Sequence, residues 1–191
     1  DVILCFLPLF HVNGLVITGT SPLSKGSQII LRRNFSASEF WECVAKYRVT
    51  VFSGVPTVYQ ILLATPGHEG LDLSSLRYGV CGAAPMPVET IRRFEEAFDM
   101  IIIEGYGLTE STAGATANPI DGVRKIGSIG IPFAESEIRL LDDRDEEVPQ
   151  GEVGEICIRG GHVMKGYYNR PEETAQTLRG GWLHTGDMAC R

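Results

Sequence analysis

The sequence lacks a long apolar run and an excess of basic residues. The longest apolar run, residues 2–10, is interrupted by Pro8, whereas a membrane-spanning helix needs about 20 apolar residues. No basic stretch precedes this run, so we expect neither a signal peptide nor a transmembrane segment. The 24 acidic and 17 basic residues give a net charge of -7. This charge argues against a main role in binding a nucleic acid polymer, although it does not exclude a local pocket for a small anion.

The sequence also has no CxxC pair. Its five cysteines are odd in number and widely spaced, at positions 5, 43, 81, 157 and 190. This pattern predicts free thiols in a reducing compartment, and we expect a cytoplasmic protein. Hydrophobic residues make up 43% of the chain and charged residues 21%, a composition that excludes a disordered tail or a coiled coil and is typical of a globular domain.

Two common phosphate-binding motifs are absent. The glycine pair ending at Gly107 is followed by Glu110, where a dinucleotide-binding loop has its third glycine. Segment 161–166 has the glycine spacing of a Walker A loop, but two tyrosines follow it in place of Lys and Ser or Thr. A nucleotide site in this chain would therefore be of another kind.

Residues 1–130 alternate between apolar strand-like runs and amphipathic helical segments. The predicted strands are 2–7, 28–31, 50–53, 78–81 and 100–104. The predicted helices are 36–48, with Ser36 and Glu39 as a capping box, 56–64, and one that starts at Pro87. This alternation predicts an α/β fold in which a mainly parallel sheet is layered with helices.

Residues 131–191 follow a different pattern. Two alternating runs, 136–141 and 152–159, flank a polar stretch with five carboxylates in six residues. The stretch lacks the glycine and glutamate spacing of a calcium loop, so we interpret it as the solvated tip of an antiparallel hairpin. The sequence thus predicts a smaller antiparallel β-rich subdomain over 131–191.

The segment after the fifth predicted strand offers the most chemistry. Ligands of α/β sheets bind beyond the carboxyl ends of the strands. Tyr106, between two glycines, presents a flat face for an aromatic ring, Thr109 offers a hydroxyl to an anion, and Glu110 offers a hard oxygen to Mg²⁺. A strand followed by a plain tight turn is the alternative.

Three other segments have a structural and a functional interpretation. The small residues 82–84 permit close approach of a planar group, or simply form a strand-to-helix turn. His11 is either a structural residue or a ring that lines or gates an acyl pocket. Asp187 is either a turn or N-cap aspartate, or a carboxylate that accepts hydrogen bonds from both hydroxyls of a ribose.

Taken together and in order, seven segments resemble the adenylate-forming superfamily. They are 8–11 (PLFH), 82–85 (GAAP), 105–110 (GYGLTE), 127–132 (GSIGIP), 154–156 (GEI), 166–172 (GYYNRPE) and 181–187 (GWLHTGD). The chain is most similar to acyl-CoA synthetases, with aryl-CoA ligases, luciferases and peptide-synthetase adenylation domains as relatives. The segments PLFHVNG and MKGYYNRPEET resemble those of fatty acid–CoA ligases in particular.

The resemblance implies that a carboxylic acid reacts with Mg-ATP to give an acyl-adenylate, from which coenzyme A then displaces AMP. The implied nucleotide-binding residues are Gly82, Ala83, Ala84, Pro85, Glu104, Gly105, Tyr106, Gly107, Thr109 and Asp187. The implied acyl-binding residues are His11, Val12, Gly82, Gly105 and Gly107. The implied catalytic residues are Thr109, Glu110 and His11, with Glu110 as the Mg²⁺ ligand.

Two regions typical of that superfamily are missing from the sequence: the phosphate loop upstream of His11 and the small domain after Asp187. We therefore expect an internal fragment, inactive alone, in which 1–130 and 131–191 are parts of one large domain. A noncatalytic nucleotide- or acyl-binding module and a peptide-synthetase-type adenylation domain remain alternatives. The sequence leaves the acyl chain length and the oligomeric state open, a homo-oligomer included.

Overall fold

The computed structural model describes residues 1–191 and contains two β-sheets. The strands of the first sheet are β1 (Val2–Cys5), β2 (Gln28–Leu31), β3 (Val51–Gly54), β4 (Tyr78–Cys81), β5 (Ile101–Tyr106), β6 (Thr116–Ala117) and β7 (Ile131–Pro132). Their order is β2-β1-β3-β4-β5-β6-β7. The first five strands pair in parallel, and β6 and β7 extend the sheet in antiparallel fashion. The predicted mainly parallel α/β architecture is confirmed.

Five α-helices connect the strands or follow them. They are α1 (Ser21–Ser24), α2 (Ala37–Tyr47), α3 (Pro56–Ala64), α4 (Val88–Phe98) and α5 (Pro171–Thr177). A wider, π-type helical segment, Asn13–Thr20, precedes α1, and single 3₁₀ turns lie at Thr109–Ser111 and Arg179–Gly181. The predicted capping box of α2 is wrong: the Ser36 hydroxyl lies near Ser38 and caps no backbone group, while Glu39 binds Arg32.

The main core lies where α2, α3 and α4 pack on the parallel strands. It is rich in aromatic side chains, with Trp41, Phe52, Tyr59 and Phe94 almost fully buried. The buried Tyr59 hydroxyl donates a hydrogen bond to the Val80 carbonyl at 2.7 Å, which satisfies its polar atom. This packing fixes the relative positions of β3, β4 and β5, whose ends carry the candidate site.

The second sheet consists of β8 (Glu137–Leu141), β9 (Val153–Arg159) and β10 (Leu183–Cys190), in the order β10-β9-β8. All its pairings are antiparallel, so the predicted hairpin and β-rich part are confirmed. Its small core is packed by Tyr106 and Leu108 from the end of β5. Because β7 still belongs to the first sheet, the sheets change between residues 132 and 137. The division of one large domain at 130/131 stays a prediction.

None of the helices has both the length and the apolar character that crossing a bilayer requires. All five cysteines are free, and four of them are buried. The predicted free thiols are thus confirmed, whereas the cytoplasmic location stays a prediction.

Candidate functional site

The ends of β4 and β5 lie side by side. Cys81 pairs with Glu104, so the loop that starts at Gly82 runs next to Gly105. A Cβ added at Gly82 would lie 3.7 Å from the Gly105 carbonyl oxygen, an ordinary contact distance. The packing of the protein therefore does not require a glycine at 82, and the missing side chain leaves room for a flat ligand. Ala83, exposed at the turn of this loop, has a left-handed φ of 68°.

Gly105 and Gly107 differ from Gly82, because an added side chain there would lie closer to the protein's own backbone. A Cβ at Gly105 would lie 3.0 Å from the Thr116 carbonyl oxygen, and one at Gly107 would lie 1.7 Å from the Ala113 carbonyl oxygen. Gly107 is therefore needed because the backbone of the following loop passes against it, whereas a side chain at Gly105 would make only a tight contact. The alternative of a plain tight turn directly after the strand does not match the structure: β5 continues through Tyr106, and the left-handed residues of this region are Thr112 and Ala113.

Tyr106 and Asp187 meet although 81 residues separate them. The Tyr106 hydroxyl donates a hydrogen bond of 2.6 Å to Asp187 Oδ2. Burial of the ring, and then this bond to a carboxylate, raise the pKa of Tyr106 above its usual value near 10. Tyr106 and Asp187 thus contact each other, and the small-residue loop 82–84 runs beside Gly105, the residue that precedes Tyr106.

A bulge inside β10 presents Asp187. The pairing with β9 shifts between His184 and Met188, and the Gly186 N–H donates to Glu155 Oε1 at 2.8 Å. The Asp187 N–H donates to the Thr185 hydroxyl at 3.1 Å. The helix N-cap interpretation of Asp187 is wrong, because the residue lies within a strand. The exposed bulge leaves its carboxylate accessible from solvent.

Thr109 and Glu110 begin the 3₁₀ turn after β5. Thr109 is exposed, and Glu110 Oε1 accepts a hydrogen bond of 2.8 Å from the Tyr167 hydroxyl. That bond to a carboxylate, followed by partial burial, raises the pKa of Tyr167. This role of Tyr167 is not predictable from the sequence, because 57 residues separate Tyr167 from Glu110. The only signal for Tyr167 is its place in the 166–172 motif.

A cleft of about 320 Å³ adjoins this turn. It is lined by Leu108, Glu110, Glu155, Tyr167, Gln176, Thr177, Arg179, Leu183, His184, Thr185 and Gly186. The cleft brings the Glu110 carboxylate to the same surface as the bulge that carries Asp187. A ligand with both hydroxyl and phosphate groups would find acceptors and donors within one concave region.

The Glu104 side chain, at the end of the pairing between β4 and β5, holds a neighbouring loop in place. Its Oε2 accepts a hydrogen bond of 2.7 Å from the Gly127 N–H, and the Asn118 side chain holds the same loop through the Ser128 carbonyl at 2.6 Å. Burial raises the pKa of Glu104, and the Gly127 bond and Arg124 only partly offset this effect. No local sequence pattern predicts these contacts, which hold the 127–130 segment against β5.

His11 and Val12 precede Asn13, the residue that reaches the loop 82–84. The His11 side chain is exposed and its ring lies against Phe10, with 4.5 Å between ring centroids. The next residue but one, Asn13, accepts a hydrogen bond of 2.7 Å from the Ser53 hydroxyl and lies 4.0 Å from a Cβ added at Gly82. Asn13 therefore reaches the loop 82–84, and the acyl-binding role of His11 and Val12 stays a prediction.

Comparison with known proteins identifies several relatives that are CoA ligases. The chain is 42% identical to the feruloyl-CoA synthase of Amycolatopsis sp. over 183 residues, covering 95% of this chain and 37% of that protein. It is 40% identical to the long-chain-fatty-acid–CoA ligase of Bacillus subtilis over 189 residues, covering 98% and 34%. It thus spans about a third of the length of these curated relatives.

The fold is also similar to that of several solved structures. The N-terminal domain of FACL13 from Mycobacterium tuberculosis superposes with a TM-score of 0.90 at 32% identity, covering 98% of this chain and 47% of that one. ATP-bound MatB from Rhodopseudomonas palustris also superposes with a TM-score of 0.90 at 32% identity, covering 98% and 37%. The family described as AMP-binding enzyme matches residues 1–168. The chain therefore belongs to the AMP-binding enzyme family.

Proposed function

We propose that this chain forms the nucleotide-binding part of an ATP-dependent acid–thiol ligase. Such an enzyme activates a carboxylic acid as its acyl-adenylate and transfers the acyl group to coenzyme A. The observation that carries the proposal is the contact between Tyr106 and Asp187, together with the open loop at Gly82 that runs beside Gly105. The CoA ligases among the relatives support the same reaction class.

In the proposed complex the adenine lies between the loop 82–85 and the Tyr106 ring. The Asp187 carboxylate accepts hydrogen bonds from the two ribose hydroxyls, which replace its bond from Tyr106. Tyr106 is then free to stack on the base. Gly105 and Gly107 let the following loop pack against β5, and the Glu104 carboxylate holds the 127–130 segment beside it through the Gly127 N–H.

The phosphates are proposed to lie at the 3₁₀ turn. Thr109 donates its hydroxyl to the α-phosphate, and the Glu110 carboxylate, positioned by Tyr167, faces the cleft with its hard oxygen ligands. A single carboxylate that faces an open cleft suits Mg²⁺, which usually keeps its waters and substrate phosphates as its other ligands. When bound there, Mg²⁺ supplies positive charge next to the phosphates.

The reaction requires the protein to position the substrates and does not require a covalent bond to the protein. An oxygen of the substrate carboxylate attacks the α-phosphorus, and the bond to pyrophosphate breaks. The coenzyme A sulfur then attacks the carbonyl carbon, and AMP leaves. Residues that hold the adenosine and the α-phosphate in line with the acid lower the barrier of the first step.

The acid is proposed to be a fatty acid, bound beside His11 and Val12. The motif PLFHVNG around these residues supports this choice, and one relative is a long-chain-fatty-acid–CoA ligase. Feruloyl-CoA synthase, an equally similar relative, makes an aryl acid the direct competitor.

A hydroxamate-trapping assay tests the proposal. A full-length version, with the flanking regions of the longer relatives, is incubated with ATP, Mg²⁺ and a panel of fatty, aromatic and amino acids. We expect fatty hydroxamates, and we expect Glu110→Ala to lower their formation by about 100-fold or more. Glu152→Ala, an exposed carboxylate in the hairpin, is the matched control and should retain activity.

Two outcomes would contradict the proposal. If no acid is trapped and Glu110→Ala alters only nucleotide binding, the protein is a binding module. If aromatic or amino acids are trapped and fatty acids are not, the substrate class is wrong. The 191-residue chain alone should show no ATP–pyrophosphate exchange, because the reaction needs the regions that the longer relatives have in addition.

A further inference from the structure

Three potential metal ligands meet between β9 and β10, below the bulge that carries Asp187. Glu155 Oε2 lies 2.8 Å from His184 Nδ1, and Cys157 Sγ lies 3.3 Å from the same nitrogen. Cys157 Sγ and Glu155 Oε2 are 4.0 Å apart. Zinc bonds of about 2.0–2.3 Å at tetrahedral angles place such atoms about 3.3–3.6 Å apart. The three atoms therefore need to shift by only about half an ångström to share one ion.

The three side chains stand on rigid backbone. Cys157 and His184 are directly paired residues of adjacent strands, and they are 0% and 7% exposed. The other oxygen of Glu155 is fixed by the Gly186 N–H at 2.8 Å. On the far side of the imidazole, His184 Nε2 lies 3.8 Å from Asp145 Oδ1. This distance is slightly longer than a hydrogen bond, and a small shift would let the carboxylate orient the ring for a metal on Nδ1, as in many metal sites.

An ion can reach these atoms from the cleft. A water molecule from the same side can serve as its fourth ligand. Glu155 and His184 line the cleft of about 320 Å³, so one side of the cluster faces solvent. Arg179 partly occupies this side, with Nη2 3.5 Å from Glu155 Oε2 and 3.2 Å from Asp145 Oδ1. Its side chain is 43% exposed and can turn outward.

We propose that Glu155, Cys157 and His184 bind one divalent transition-metal ion of the zinc class. A thiolate, an imidazole and a carboxylate suit Zn²⁺ or Co²⁺ and do not suit Mg²⁺, which prefers oxygen ligands. The site is thus distinct from the Mg²⁺ position proposed at Glu110, and it does not depend on the ligase function.

Binding has a defined proton balance. The metal–sulfur bond forms as the Cys157 thiol proton leaves to solvent. The metal also displaces the proton that His184 Nδ1 donates to Glu155 Oε2, and the neutral ring then carries its one proton on Nε2, facing Asp145. The charges of the metal, the thiolate and the Glu155 carboxylate then cancel. The ion ties β9 to β10 on either side of the bulge, so it stiffens the segment that presents Asp187.

Cobalt titration tests the site. The chain is dialysed against a chelator and titrated with Co²⁺ in the absence of nucleotide. We expect one equivalent to bind, with a near-ultraviolet sulfur-to-cobalt charge-transfer band that Zn²⁺ displaces and a large excess of Mg²⁺ does not. Cys157→Ser should lose the band, whereas Cys190→Ser, which removes an exposed thiol at the end of the neighbouring strand β10, should keep it.

A second variant keeps the test independent of whether Cys157→Ser folds. Arg179→Gln leaves all three metal ligands in place and removes the competing cation, so Co²⁺ should bind several-fold more tightly. The absence of stoichiometric Co²⁺ binding by the unmodified chain, or an equal band in folded Cys157→Ser, would overturn the proposal. In either case the three side chains would form only a buried hydrogen-bonded cluster.

Discussion

Glycine has two separate uses at the candidate site, and the sequence cannot distinguish them. Gly82 leaves space that no protein atom fills, whereas Gly107 prevents a collision with the backbone at Ala113. Both occur in small-residue motifs after a strand. The difference depends on where a loop returns, which is set by the packing of residues far along the chain.

This difference predicts opposite consequences for two identical substitutions. Gly82→Ala should fold with a free energy of unfolding within about 1 kcal/mol of the parent, because its Cβ makes only ordinary contacts. It should weaken AMP binding, since the methyl group enters the proposed adenine site. Gly107→Ala should be destabilised by about 3 kcal/mol or more, because its Cβ would collide with the Ala113 carbonyl oxygen. Urea denaturation and AMP titration measure the two effects.

Gly161→Ala serves as the control, because a Cβ there meets no atom within 4 Å. It should change neither stability nor binding. Normal stability of Gly107→Ala would show that the loop 113–114 can move away from β5. Unchanged AMP affinity of Gly82→Ala would remove the adenine from this loop.

The raised pKa of Glu104 predicts that the free energy of unfolding depends on pH. Burial raises its pKa above the usual 4.5, so the folded state favours the protonated carboxyl. Its contribution to stability is present below the pKa of the unfolded chain and is lost as the pH rises through the higher pKa of the folded state. Glu104→Gln keeps an acceptor for the Gly127 N–H and avoids the buried charge.

Glu104→Gln should therefore be more stable than the parent at pH 7, and this advantage should disappear as the pH falls toward 4. Urea denaturation of both proteins at several pH values between 4 and 8 measures the difference. An advantage that is the same at every pH would mean that the Glu104 charge has no part in it.

At the scale of elements, local signals predicted some boundaries and missed others. Helix α3 begins at Pro56 and ends at Ala64 as predicted, because proline fits the first helical position. The capping box failed at α2, where Arg32 draws Glu39 away from the helix end. The π-type segment at Asn13–Thr20 was not predicted, since its glycines and β-branched residues follow no helical pattern.

One ion pair joins α4 to the loop that supports Glu104. Arg124 binds both oxygens of Glu95 at 2.6 and 3.0 Å, and each side chain is less than a fifth exposed. Arg124 also donates to the Ile102 carbonyl at 3.0 Å. The pair thus connects α4, β5 and the loop that ends at Gly127.

Glu95→Gln should lower the free energy of unfolding by about 1–3 kcal/mol, because it leaves the Arg124 charge without its partner in a mostly buried place. The same substitution at Glu173, whose pair with Arg170 is exposed, should cost no more than about 0.5 kcal/mol. Urea denaturation of both variants makes the comparison. Equal losses would show that the Glu95 pair is as weak as a surface pair.

At the scale of the whole molecule, the candidate site lies where the two sheets meet. The sequence singled out Tyr106 and Asp187 as candidates by the chemistry of their side chains, although each also had a purely structural interpretation. Their contact was not predictable from local pattern, because β10 lies in the second sheet and its bulge depends on pairing with β9. Only the order of the motifs along the chain indicated that these residues converge.

A nucleotide that bridges the two sheets should stabilise the folded chain as a unit. AMP at about 100 times its dissociation constant should add about 2.7 kcal/mol to the free energy of unfolding. For a chain of this size that corresponds to a rise in Tm of about 5–10 °C. Asp187→Ala should lose most of the rise, because its carboxylate is the proposed partner of the ribose hydroxyls. Asp143→Ala, an exposed carboxylate at the hairpin tip, should keep it. Differential scanning calorimetry with increasing AMP makes the measurement, and an equal rise in both variants would place the nucleotide away from the junction of the sheets.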